Sequence, residues 1–355
     1  MKTRPLKNGY YGSVGCEIYD INFATASDEE LIEVGKIVED QLTVFIGQDA
    51  CGGIDSKKHF EIQEMWGTPY MGLIHAYVGD GRLAGPHWDD FLENLRDVSK
   101  KSDIAFGLGA SEISYQKDEH GKPIGMFADG ELDWHSAEAG MSAAPRTIGL
   151  SSVAGSVNSR TDFLQTFDMW EKLSETMQSE LKELSIIHKW RPEGIAYGTQ
   201  LAQQEIARFN TVAIDGQQTK LYSETASGRP GIRFPAYSFD GFVGMSEVES
   251  WKLYAHLSKL VYDPCWIYQH EWQDGQVMYF DQEISIHRRP TNVEAGSDRR
   301  MVRKSFYFDK LYPDAAPLDY VEVKGKKYTN DEYAAMVDKI RLADWEAGIT
   351  AGQLK

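Results

Sequence analysis

Residues 275–290 read GQVMYFDQEISIHRRP, and the reading of this stretch decides the fold. Asp274 and Gly275 signal a turn, and the apolar, aromatic run after them has the character of a buried strand that ends at Asp281. His287 follows. The other histidine that stands out is His135, in ELDWHSAEAG (131–140), a glycine-bounded aromatic segment far earlier in the chain. Only a closed β fold brings two such distant positions together.

Further β-rich runs support that architecture: LTVFIG (42–47), TIGLSSVAG (147–155), CWIYQHEW (265–272) and MVRKSFYFD (301–309), separated by Gly, Pro, Asn and Asp. Helices are expected at 27–42, where Ser27 and Glu30 form a capping box, and at 56–67, capped by Ser56 and stopped by Gly67. Two more fit WEKLSETMQSELKELSII (170–187) and the segment after Ser246. Strands and helices do not alternate, which disfavours a doubly wound parallel sheet. The expected class is mainly β with flanking helices, a sandwich or jelly roll. No repeat or long linker interrupts the chain, so 1–355 reads as a single domain, with the polar segment 190–235 as a lid or an ordered insertion.

Bulk properties narrow the function. A formal net charge of -17 repels phosphates, so no nucleic acid partner is expected. The chain has no apolar run of membrane-spanning length and no secretory signal at its start, so no membrane association and a cytoplasmic location are expected. Cys16, Cys51 and Cys265 lie too far apart in sequence to suggest a zinc knuckle or a disulfide framework. A small anion remains an acceptable ligand if arginines gather in one pocket. In SDRRMVRKSFYFD (297–309), Arg299 and Arg303 are four apart on an expected strand and share a face, while Arg300 points to the opposite one.

In order, these features resemble the taurine dioxygenase branch of the Fe(II)- and 2-oxoglutarate-dependent oxygenases, whose fold is a double-stranded β-helix, or cupin-like jelly roll, with added helices. The resemblance covers most of the chain. GCEIYDINFATASDEELIEVGKIVEDQLTVFIG (15–47) resembles the family's opening strand, helix and strand, and KKHFEIQEMWGTP (57–69) its next helix and turn. GELDWHS (130–136) resembles the segment with the first iron-binding histidine, and GQVMYFDQEISIHRRP the strand, aspartate turn and distal histidine. The resemblance implies His135 and His287 as ligands of Fe(II), and Thr161 and Arg299 as contacts to the far carboxylate of 2-oxoglutarate. It implies Arg303 as a contact to an anionic group of the substrate. It also implies a small-molecule substrate, anionic or amino-acid-like, and a homo-oligomer, as family members often form.

One position departs from the pattern. Hydroxylating members usually place Asp or Glu two residues after the first histidine; here that residue is Ala137. Radical halogenases related to this family resemble the present sequence in having alanine or glycine there, with chloride in the vacated coordination position. The first expectation is therefore chlorination of an unactivated carbon, with Ala137 marking the halide position. The alternatives are a hydroxylase in which Glu138 serves as a displaced third ligand across a backbone bulge, and a non-catalytic metal-binding jelly roll.

Overall fold

The computed structural model describes residues 1–7, 13–89, 110–114, 131–141, 146–189, 216–290 and 298–348, with isolated positions between 114 and 131. Strands are numbered in chain order. A seven-stranded sheet contains Lys2–Lys7 (β1), Ser13–Tyr19 (β2), Thr43–Ile46 (β3), Ala110–Ser114 (β4), Thr147–Ala154 (β6), Val277–Asp281 (β14) and Arg300–Phe306 (β16). Its order is β1-β2-β3-β14-β6-β16-β4, antiparallel except for the β2–β3 pair. Facing it is a four-stranded sheet built from Leu132–His135 (β5), Arg160–Gln165 (β7), Ile267–Glu271 (β13) and Ser285–Arg289 (β15), ordered β13-β7-β15-β5. Ser185–His188 (β8), Gln217–Lys220 (β9) and Phe239–Phe242 (β12) form a side sheet, while Tyr222–Glu224 (β10) pairs with Pro230–Ile232 (β11). Of the expected lid or insertion at 190–235, residues 190–215 lie outside the described residues, and β9, β10 and β11 follow.

The two sheets close on each other because their strands alternate. On β7, Phe163 points inward while Leu164 joins the cluster under the flanking helices; β15 repeats this with His287 inward and Ile286 outward. Phe163, Ile148, Leu150, Met278, Phe280 and Met301 meet in the space between the sheets. On the far side of the larger sheet the helices Asp28–Gln41 and Ser56–Trp66 cover Tyr279 and Val277. Ser27 and Glu30 make the reciprocal capping box. Trp66 packs against Gly35, where an added Cβ would stand 2.6 Å from the indole, and its Nε1 donates to the carbonyl of Leu31 at 2.9 Å.

Two local expectations are corrected. The cap of the second helix is Asp55, whose carboxylate accepts from the backbone of Lys58 at 2.8 Å; Ser56 lies inside the helix and donates instead to Ser151 on β6 at 2.9 Å. The segment 170–187 is not one helix. Ser174 caps a new start by accepting from Met177, so Phe167–Glu171 and Glu175–Glu183 are separate and Ser185 already opens β8.

The turn that delivers β15 is built on Asp281. One buried carboxylate oxygen accepts from the backbone N–H groups of Glu283, Ile284 and Ser285 at 2.9, 2.7 and 3.0 Å. Burial, with the neighbouring carboxylates of Glu39 and Glu283, nevertheless pushes the Asp281 carboxyl up to about 7.

Two outcomes are expected. Between the ordinary aspartate value of 3.8 and about 7, the native protein holds a proton that the unfolded chain has released. Raising the pH through that window therefore removes stability, on the order of 4 kcal/mol at full expression. Asp281→Asn, which keeps an oxygen for the three donors, should flatten that slope in urea unfolding at a series of pH values. Gly35→Ala should cost about 1–3 kcal/mol in the same assay, since overpacking against Trp66 outweighs the smaller gain in helix propensity.

Candidate metal centre

Strands β15 and β5 pair antiparallel with His287 directly opposite His135. Their rings lie 4.1 Å apart between centroids, on the inner face of the smaller sheet. Phe280 meets the His287 ring edge-on at 4.8 Å and Phe163 stacks on it at 6.2 Å, so the pair stands at the rim of the apolar core. The register shifts between His287 and Arg289, a bulge beside the pair.

Both imidazoles are held neutral. Burial lowers His135 to about 4, helped by the cations of Arg303 and Arg289. His287 is pushed well below its ordinary value by burial, by His135 and by Arg303. Nδ1 of His135 donates to the carbonyl of Asp133 at 2.7 Å, which leaves Nε2 as the electron-pair donor. Nδ1 of His287 is buried with no hydrogen-bond partner. Two facing neutral imidazoles, one with an orphaned nitrogen, fit a divalent transition metal. Among the described residues, no third His, Cys, Asp or Glu joins them in a group able to hold an ion.

The residues after His135 do not continue the strand. β5 ends at His135 and the chain turns through 137–140, with Glu138 in the left-handed region at φ 56°. Ala137 is buried, and its N–H donates to Oε1 of Gln282 at 2.7 Å, which ties this turn to the one before β15. Glu138 reaches across to the larger sheet, where its Oε1 accepts from Arg303 at 3.1 Å. Its Oε2 is buried and has no partner.

Thr161, on β7, lies on the same face as Phe163, and its hydroxyl oxygen accepts from Nε1 of Trp272 at 2.9 Å, leaving its proton free to be donated. Arg299 immediately precedes β16 and is buried; burial and the neighbouring Arg289 lower its guanidinium to about 9. Arg299 and Arg289 both donate to the carbonyl of Phe127, Arg299 at 3.3 Å. Arg300 points the other way and pairs with the buried Glu112 at 3.2 Å. Trp134 and Tyr279 face away from the histidines: Trp134 stacks on Tyr262 under the helices, and Tyr279 contacts Trp66 and His59.

Sequence reasoning missed Arg289, Gln282 and Tyr237, whose ring lies 6.4 Å from that of His135. Arg289 carried a readable signal, two residues after His287 and so on its face of the strand. Gln282 and Tyr237 carried none, because a turn and a distant loop bring them in.

The sequence matches the model of the taurine catabolism dioxygenase TauD, TfdA family over residues 2–304. It is 22% identical to pentalenolactone F synthase of Streptomyces avermitilis over 282 residues, which cover 74% of this chain and 89% of that protein. The fold is similar to a taurine dioxygenase from Burkholderia xenovorans, with a TM-score of 0.60 at 14% identity over 94% of this chain and 98% of that one. It is also similar to AAD-2 in complex with Mn(II) and N-oxalylglycine, with a TM-score of 0.59 at 14% identity over 86% of this chain and 97% of that one. The chain belongs to the taurine catabolism dioxygenase TauD, TfdA family and is an Fe(II)- and 2-oxoglutarate-dependent oxygenase.

Proposed function

We propose that this oxygenase halogenates an unactivated carbon of a small molecule, with His135 and His287 as the protein ligands of its iron. The observation that carries this reading is the fate of Glu138, the acidic residue three places after His135. Glu138 is drawn to Arg303, and the position two residues after His135 is the methyl group of Ala137. A methyl leaves room for a halide, and a halide would restore the negative charge that a carboxylate ligand supplies. Bound Fe(II) with 2-oxoglutarate and oxygen would supply the oxidising power to remove hydrogen from carbon.

The chain's own residues supply the rest. Arg299 offers a planar fork of donors to the far carboxylate of 2-oxoglutarate, and the dianion relieves the repulsion between Arg299 and Arg289. Thr161 gives its hydroxyl proton to the same carboxylate while Trp272 fixes its rotamer. Gln282 holds the Ala137 backbone and so fixes the turn that follows His135. A second reading, hydroxylation with Glu138 as a displaced ligand, is favoured by the buried, partnerless Oε2 of that residue.

Incubation with Fe(II), 2-oxoglutarate, oxygen and chloride against a metabolite pool should give succinate and a product with the chlorine isotope pattern, replaced by a bromine pattern in bromide. Hydroxylated product alone in both salts would remove the halogenase reading. Ala137→Asp should suppress halogenation. Calorimetric titration with Mn(II) should lose its signal in His135→Ala and in His287→Ala but keep it in His188→Ala, a buried histidine on the side sheet. Arg299→Ala should weaken 2-oxoglutarate binding about 10- to 100-fold.

A further inference from the structure

The Glu138–Arg303 pair bears on what the site accepts. Arg303 lies on the inner face of β16 with Met301, and its partner Glu138 sits in the turn three residues after His135, so the pair stands beside the metal centre. It is mostly enclosed, with side-chain exposures of 15% for Glu138 and 19% for Arg303. An arginine in this place invites an anionic group on the substrate. Here the chain brings its own anion, which neutralises Arg303 before any ligand arrives. The cost is a non-glycine residue at φ 56°, a backbone state that persists only when its surroundings enforce it.

Only half of the carboxylate is used. Oε2 of Glu138 is buried without a donor, and a desolvated carboxylate oxygen without a hydrogen bond is costly. The Tyr70 and Tyr307 phenols feel the Glu138 charge among the influences that raise them, after burial, yet neither makes a hydrogen bond to Oε2. We infer that Glu138 is a specificity-determining residue: it occupies the anion position at Arg303 and offers Oε2 to a donor on the substrate. The substrate then carries an ammonium or hydroxyl group near the reacting carbon, in place of the carboxylate or sulfonate that the arginine alone would select. This inference rests on the histidine pair being the reaction centre. It replaces the expectation of an anionic contact at Arg303 with a cationic or neutral one.

The test uses three probes of equal length, hexylammonium, hexanol and hexanoate, and compares the full-length wild type with Glu138→Ala and Glu138→Gln. Binding is read by saturation-transfer NMR without metal, then by the paramagnetic broadening that Mn(II) imposes on each probe. Wild type should bind hexylammonium and hexanol at least about tenfold more tightly than hexanoate, the scale of a charge-assisted hydrogen bond. Glu138→Ala should reverse the order by exposing Arg303, and Glu138→Gln, which keeps the shape, should lose the ammonium preference. A wild-type preference for hexanoate, or an order unchanged in both variants, would overturn the inference. So would loss of Mn(II) binding in Glu138→Ala, because Glu138 would then be a ligand. Failure of wild type to bind Mn(II) would instead refute the metal-centre reading, and the metal-free measurement would still report the probe preference by itself.

Discussion

The antiparallel pairing of β15 with β5 is the constraint on which the rest depends. Facing residues of an antiparallel pair lie within side-chain contact, and His287 faces His135. A slip of one residue would turn either histidine to the outer face, where Ile286 and Trp134 now pack under the helices. The apolar residues of both strands therefore fix the register, and the register places the imidazoles. Asp281 sets where β15 begins by gathering three backbone donors, so a buried carboxylate on the other sheet also governs the centre.

Among the described residues around the pair, cations outnumber acids close to the rings. Arg303, Arg289 and Arg299 gather on the inner faces, and the acid beside them, Glu138, is shared with Arg303. These enclosed cations disfavour protonation of both histidines, and on the reading proposed above they would favour a dianionic co-substrate. The strongly acidic exterior does not contradict this, since the arginines are enclosed and the surface charge is screened over short distances.

Much of the framework was legible. The capping box at Ser27, the strand ending at Asp281 and the run from Met301 all stand where hydrophobic period and turn residues put them. What misled was local ambiguity. Asp55 and Ser56 are both good cap residues, and only the direction of the incoming chain chose between them. Ser174 lies within a helical pattern yet starts a new helix, because its hydroxyl competes for a backbone donor. At the site, period two would have kept Ala137 on the face of His135, but the strand stops and the turn carries Glu138 across to the other sheet.

By itself the sequence determined the class of fold, the two histidines and the arginine-bearing strand, because alternation, turn residues and motif order are local properties written in consecutive residues. Tertiary structure alone decided that Glu138 meets Arg303, that Gln282 holds Ala137 and that Arg289 joins Arg299. The first two contacts join residues more than a hundred apart, and Arg289 and Arg299 meet at the carbonyl of Phe127, more than a hundred residues from either. Long-range partners follow from how two sheets close over a shared core, and no local pattern carries that information.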